Sequence, residues 1–253
     1  MPITTHKPLI LASGSICRKW LMDQSGLKYQ VIPADVDESA IKEQMQGSPP
    51  AEIGVALAKA KAAAVSELHP DAYVIGGDQI CAFEEQILDK PGDEATAIEH
   101  LHMLQGKTHI QYSAVCVYAH TTPSTCDTLK TTPPACGGGR GGAVPSEQSI
   151  DGSSRVAIPP LTSPPQAGGI DTGPQCLWSF VDQASLTMRS LTAEEIGTYV
   201  RLDQPIASCG AYKFESLGCH LFDEVQGSAD TIKGMPLLPL LAALRELGVY
   251  SLA

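Results

Sequence analysis

Apolar and polar positions along this chain fall into short blocks whose period changes from strand-like to helix-like and back. Leu9–Ala12 is a four-residue apolar run and Tyr29–Ile32 a second short stretch, and both read as strands. Pro50 opens an alanine-rich helix to about Leu68, and Pro70 stops it. Tyr73–Ile75 is a short apolar strand expected to end at Gly76-Gly77-Asp78. Asp93 can cap a helix running to Leu104, with Gly106 as its stop. Residues 108–118 form the longest strand candidate, and Trp178–Met188 alternates in part as another. Thr192-x-x-Glu195 is a capping box opening a helix to Val200, His220–Val225 reads as a strand, and Pro236–Leu247 is a last helix stopped by Gly248. Strands interleaved with helices predict an α/β fold around a twisted central sheet.

One stretch breaks the pattern. Residues 119–176 hold 9 Pro and 9 Gly in 58 positions and no Phe, Tyr or Trp. That share, about 31%, exceeds the roughly 25–30% at which a segment reads as low complexity. Without aromatic residues it cannot build a core against chain entropy. It is expected to be a disordered insertion between two strands with its ends close together, a topology whose closure cost grows only slowly with length. Its Gly137–Gly142 run is too irregular for a phosphate loop.

The chain of 253 residues, 43% of them hydrophobic, is ample for one large domain or two small ones. Seventeen basic against 28 acidic residues give a net charge of -11, which argues against nucleic acid as a bulk ligand and still allows a local basic pocket for a small polyphosphate. No run approaches the ~20 apolar residues of a membrane span, and no secretory signal opens the chain. Eight scattered cysteines without a C-x-x-C pair point to reduced thiols and a cytoplasmic protein.

The candidate chemistry begins at Ser13-Gly14-Ser15, where the first apolar run stops. Ser15 reads as a helix N-cap, and Arg18 and Lys19 follow within one turn. Free first-turn amides, the helix dipole and two cations together can hold an anion such as a phosphate chain; the alternative is a strand-to-helix turn with a solvated basic pair. Asp78 in Gly76-Gly77-Asp78-Gln79 can hold a metal or take a proton from water, or serve as a turn former. Lys90, fixed beside Pro91, can aim its ammonium toward Asp78. Lys59 and Lys61 sit two apart on a helix, so one can look inward while the other is solvated. Glu38 ends the acidic turn Asp35-Val36-Asp37-Glu38, ordinarily a polar loop. His100 and His102 diverge on a helix, and no Gly-x-Ser-x-Gly elbow occurs, which disfavours a histidine metal site or a serine triad.

The order of the fragments is more specific than any one of them. The chain runs Leu11-Ala-Ser-x-Ser-x-x-Arg-Lys19, Val36-Asp-Glu38, Leu57-Ala-x-x-Lys-Ala62, Ile75-Gly-x-Asp-Gln79, Lys90-Pro91, Leu104-x-Gly-Lys-Thr-His109, Gly210-Ala-Tyr-Lys-Phe-Glu215 and Gly234-Met-Pro236. This resembles the Maf family of nucleotide pyrophosphatases over residues 9–118 and 177–248, with 119–176 lacking a counterpart. The resemblance implies one Maf/ITPase-like α/β domain made of 1–118 and 177–253, two lobes around a cleft, with a twisted mixed central sheet flanked by helices. It implies an enzyme that hydrolyses a nucleoside triphosphate to monophosphate and pyrophosphate with a divalent cation, Mg²⁺ or alternatively Mn²⁺ or Co²⁺, and a homodimer. By the same resemblance Asp78 is the catalytic acid, Glu38 and Asp78 lie at the metal, and Ser13, Ser15, Arg18, Lys61 and Lys90 surround the triphosphate. Gln79 and Glu215 match the branch that prefers 7-methyl-GTP; the alternatives are a dTTP/UTP pyrophosphatase of the same family and a non-catalytic nucleotide-binding regulator. A carboxylate such as Glu215 can accept edge donors of a methylated guanine and offset its positive charge. The chain departs from the family pattern at Ile16-Cys17, where Pro-Arg is usual, and at Ser216, where Gly is usual.

Overall fold

A computed structural model describes residues 3–120 and 173–252. In chain order the elements are β1 (Ile3–Thr5), β2 (Leu9–Leu11), α1 (Ile16–Ser25), β3 (Gln30–Val31), α2 (Glu38–Gln44), α3 (Pro50–Leu68), β4 (Tyr73–Phe83), β5 (Gln86–Leu88), α4 (Glu94–Leu104), β6 (Thr108–His120), β7 (Pro174–Met188), α5 (Ala193–Asp203), β8 (Phe222–Gln226), α6 (Ala229–Ile232), α7 (Leu237–Glu246) and β9 (Tyr250–Leu252). The central sheet has the order β3-β2-β4-β6-β7-β8, with β5 folded back on β4. It is mixed: β2 runs parallel to β3 and β4, whereas β4, β6, β7 and β8 form antiparallel neighbours. β1 and β9 make a separate two-stranded ribbon.

Side-chain alternation sends successive residues of the strands to opposite faces. Leu9, Leu11 and Ile75 pack with Leu21 and Met22 of α1 and Leu240 and Leu244 of α7. Ile10, Ala12 and Val74 pack on the other face with Ala58, Ala62 and Val65 of α3. The far ends of the long strands build another cluster, in which Cys81, Phe83, Leu186 and Met188 meet Leu101 and Leu104 of α4 and Ile196 and Val200 of α5. Local signals set the helix starts: Ser15, Asp37, Asp93 and Ser228 side chains accept first-turn amides, and Thr192 with Glu195 forms the expected reciprocal box. Each such cap stabilises by roughly 1 kcal/mol.

The structure corrects four boundaries. β4 does not end at Gly76 but runs on through Asp78 to Phe83, because the glycines serve close packing here and not a turn. A Cβ on Gly76 would lie 2.1 Å from the Ala58 carbonyl oxygen and 2.8 Å from Ala62 Cβ, so α3 sits directly on the strand. Glu38 opens the helix α2, capped by Asp37, where a polar loop was expected. The strand expected at His220 begins at Phe222, after a 3₁₀ turn at Leu217–Leu221. β6 and β7 pair past a bulge as far as His120↔Pro174, so residues 119–120 and 174–176 belong to the sheet and the ends of the intervening segment are neighbours. The expected insertion lies, from 121 to 172, outside the described residues.

Candidate active site

All nine residues singled out from the sequence line one cleft of about 730 Å³. It opens where α1 begins, over the middle of β4, between α2 on one side and the 204–215 segment on the other. A smaller hollow of about 370 Å³ lies over α5, and its ion pair, Arg189 with Glu195, involves the capping-box glutamate.

The floor of the cleft is an ionic triad. Lys61 Nζ donates to Asp78 Oδ1 at 2.6 Å and lies 2.8 Å from Glu38 Oε1. Lys61 is the buried member of the Lys59/Lys61 pair, as the spacing allowed. The cause is local: the glycine at 76 and the alanines of α3 let the helix approach closely enough for a side chain one turn on to reach the strand. Burial works against ionisation of Glu38, but the hydrogen bond and charge of Lys61, with Lys90 and Lys42 nearby, outweigh it and hold the carboxyl below its usual range. Lys90 acts on the site through that charge. Sharing one ammonium brings the two carboxylates within reach of a single small ion. Their hard oxygens suit Mg²⁺, which typically takes one or two carboxylates and completes its shell with water and substrate phosphates. That fits a site in which no three His, Cys, Asp or Glu cluster among the described residues.

The serine turn is organised differently from a simple basic pocket. Ser13 Oγ accepts from the Ser15 amide at 3.3 Å and from Arg18 Nη1 at 3.0 Å. Ser15 Oγ caps the Arg18 amide at 3.4 Å. Arg18 is buried, and its Nε donates to the Gly234 carbonyl at 2.8 Å. Two of its five donors therefore tie α1 to the Ser13 turn and to the loop before α7. Gly77 leaves room for this, since a Cβ there would stand 3.2 Å from Arg18 Nε. Lys19, read with Arg18 as a basic pair, turns away to the exposed Asp23 at 2.6 Å.

The other end of the cleft is polar. Gln79 Nε2 donates to the Ile232 carbonyl at 2.7 Å. Glu215 is exposed, and its Oε1 accepts from the Cys17 thiol at 3.0 Å. Beneath it Tyr212 is buried, with its hydroxyl 2.8 Å from both His109 Nε2 and Gln111 Nε2. Burial alone lowers the His109 imidazole to about 4, so it is neutral. Ser216, where a glycine was noted as usual, donates from Oγ to Asp203 Oδ1 at 2.6 Å.

Sequence reasoning missed Lys42, Lys213 and Lys233, which also line the cleft. Lys42 lies one turn after Glu38 and pairs with Asp89, a relation visible only once α2 is recognised as a helix. Lys213 and Lys233 sit inside and beside quoted fragments, with no periodic signal to mark them. Lys233 rests over the Trp20 ring at 4.7 Å. Six cations (Arg18, Lys42, Lys61, Lys90, Lys213 and Lys233) thus face four carboxylates (Glu38, Asp78, Asp89 and Glu215). The cleft is locally cationic in a chain of net charge -11.

Six cysteines among the described residues (17, 81, 116, 176, 209 and 219) are free thiols. No helix among the described residues is long and apolar enough to cross a membrane.

The chain is similar to known proteins along most of its length. The model of the family described as Maf-like protein matches residues 8–133 and 166–247, reaching further into the central segment from both sides than the sequence fragments did. A nucleoside triphosphate pyrophosphatase of Legionella pneumophila (strain Paris) is 32% identical over 247 residues, covering 98% of this chain and 97% of that protein. A nucleoside triphosphate pyrophosphatase of Nitrobacter hamburgensis is 35% identical, covering 97% and 96% respectively. A 7-methyl-GTP pyrophosphatase of Rhizobium etli is 34% identical, covering 95% and 96%.

Proposed function

The chain belongs to the Maf family, and on that footing we propose that it hydrolyses a nucleoside triphosphate to the monophosphate and pyrophosphate, with 7-methyl-GTP as its preferred substrate. The observation that carries the reading is the Glu38–Lys61–Asp78 triad at the floor of a cleft with excess positive charge. Phosphoryl transfer asks mainly for positioning and for stabilisation of charge on oxygen. The lysines and Arg18 supply that charge on the protein side. Glu38 and Asp78 would hold a divalent cation, which when bound supplies Lewis-acid stabilisation of the phosphate oxygens.

In the reaction assigned here, Asp78 keeps Oδ1 on Lys61 and accepts a proton from water through its other oxygen. The water oxygen bonds to the phosphorus that carries the nucleoside. The bond from that phosphorus to the bridging oxygen breaks, and pyrophosphate leaves with the electron pair. Lys61 fixes the orientation of both carboxylates. Gln79 and Glu215 stand at the base end, and the Rhizobium etli relative named for 7-methyl-GTP supports the substrate. The homodimer and the cytoplasmic setting are part of the same proposal; light scattering after gel filtration reads the first.

The test is a panel of 7-methyl-GTP, GTP, UTP and dTTP with product identification, with Mg²⁺ and with EDTA. The reading expects pyrophosphate and monophosphate, fastest from 7-methyl-GTP and absent with EDTA. Preference for UTP or dTTP overturns the base assignment. Nucleotide binding without pyrophosphate release overturns the catalytic one.

A further inference from the structure

We propose that Cys17 is a positioning residue for base recognition, its thiol aiming the Glu215 carboxylate into the base end of the cleft; this rests on the reading of the cleft as a nucleotide site. Cys17 is the second residue of α1, and its contact with Glu215 spans 198 positions of sequence at 3.0 Å. It joins the N-terminus of α1 to the 210–216 loop across the cleft mouth.

The loop is fixed behind Glu215 and free at it. The Tyr212 hydroxyl is held by His109 and Gln111. The Lys213 amide donates to the Tyr199 hydroxyl at 2.9 Å, and Lys213 Nζ donates to the Asp203 carbonyl at 2.5 Å. Ser216 is held on Asp203. Glu215 itself is exposed, so its backbone position is determined while its side chain would otherwise sample several rotamers. The Cys17 thiol selects one of them.

A second observation concerns the wall behind this loop. Gln111 is only 1% exposed and lines the cleft, and with its amide nitrogen on Tyr212 its Oε1 has no partner. Buried acceptors are rarely left unpaired, and this one lies enclosed behind the Tyr212 hydroxyl that anchors the loop.

The chemistry of the pair is also specific. Burial, then the bond and charge of Glu215, push the Cys17 thiol up to about 12, so it stays a neutral donor throughout the working pH range. A neutral donor orients the carboxylate without cancelling its charge. Glu215 therefore keeps its capacity to accept edge N–H groups and to offset a cationic base. A basic side chain at position 17 would spend that charge.

The experiment compares kcat/KM for wild type, Cys17→Ala, Cys17→Ser, Cys17→Arg, Glu215→Gln and the Cys17→Ala/Glu215→Gln double variant on 7-methyl-GTP, GTP, UTP and dTTP. Cys17→Ala is expected to lower the ratio of best to poorest nucleotide by about three- to tenfold, the size of one net hydrogen bond. Cys17→Ser restores most of the ratio, Cys17→Arg lowers it further than Ala, and Cys17→Ala adds nothing in the Glu215→Gln background. The inference is overturned if Cys17→Ala keeps the wild-type ratio or lowers it equally in the Glu215→Gln background. Wild-type preference for a pyrimidine nucleotide would end the 7-methyl-GTP reading, while the same double-mutant cycle still decides whether Cys17 acts through Glu215.

Discussion

Lys61 Nζ and Asp78 Oδ1 are 2.6 Å apart, and each side chain is about nine-tenths buried, at 11% and 9% exposure. Lys61 also holds Glu38, so the pair sets the spacing of the two acids. Breaking a buried pair from one side typically costs about 3–5 kcal/mol, since the remaining charge is left uncompensated. Lys61→Met leaves two carboxylates facing each other. We expect a loss of about 3 kcal/mol in urea unfolding and a fall in turnover of at least about a hundredfold.

Asp78→Asn preserves the shape of the side chain and removes its basicity. Loss of a general base typically costs about 10²–10⁴ in rate. Pyrophosphate release should fall by that factor while the circular dichroism spectrum is unchanged. Turnover near wild type would remove Asp78 from the role.

Gly76 makes the Lys61–Asp78 contact possible at one remove. A methyl group there would stand 2.1 Å from the Ala58 carbonyl oxygen, which belongs to helix backbone and cannot swing aside. Overpacking of this kind costs about 1–3 kcal/mol, and a clash with backbone belongs at the upper end. Gly76→Ala should therefore lose about 3 kcal/mol in denaturant unfolding. It should also lose activity beyond what the fraction folded accounts for, because moving α3 moves Lys61. Gly92, with nothing within 4 Å of an added Cβ but a positive φ, is the control that separates clash from backbone preference.

How much of this was legible beforehand depends on the physics of each element. Caps and proline starts are local, so the helices at Pro50, Asp93 and Thr192 match the sequence reading closely. The Gly76-Gly77 pair misled, because glycine permits both a turn and a close approach, and only the position of α3 decides between them. α2 has seven residues and none of them is buried, so it carries no apolar stripe to announce it. The nine candidate site residues come from the order of the fragments; their convergence on one cleft is a property of the sheet. The commitments of Arg18 to Gly234 and of Cys17 to Glu215 span 216 and 198 residues and leave no trace in local sequence.

His109 gives a stability prediction with a defined pH window. It is 1% exposed, and burial lowers its imidazole from 6.5 to about 4. Between those values the unfolded chain binds a proton that the folded protein excludes, so stability rises with pH across the window. The contribution is fully present above about 6.5, declines as pH falls, and levels off below about 4, for a total of about 3 kcal/mol. Unfolding midpoints at pH 7 and pH 5 should differ in wild type in that direction. His109→Gln, which keeps a partner for Tyr212 without titrating, should flatten the difference even if its stability at pH 7 is lower.

Metal dependence should be coupled to nucleotide. On the proposed assignment Glu38 and Asp78 would supply hard oxygen ligands, and among the described residues no group of three or more metal-binding side chains exists. Lys61 already sits between the two carboxylates and competes with any cation for them. A divalent ion should therefore bind weakly to the free protein and far better when phosphate oxygens complete its shell. Mn²⁺ titrations followed by electron paramagnetic resonance, with and without a non-hydrolysable triphosphate analogue, measure this directly. Glu38→Gln removes one ligand and frees Lys61 to bind Asp78 alone, so the Mg²⁺ concentration for half-maximal turnover should rise by about tenfold or more, as loss of a charged ligand contact requires. Tight Mn²⁺ binding to the free protein, unaffected by Glu38→Gln, would place the ion elsewhere and separate these acids from its coordination.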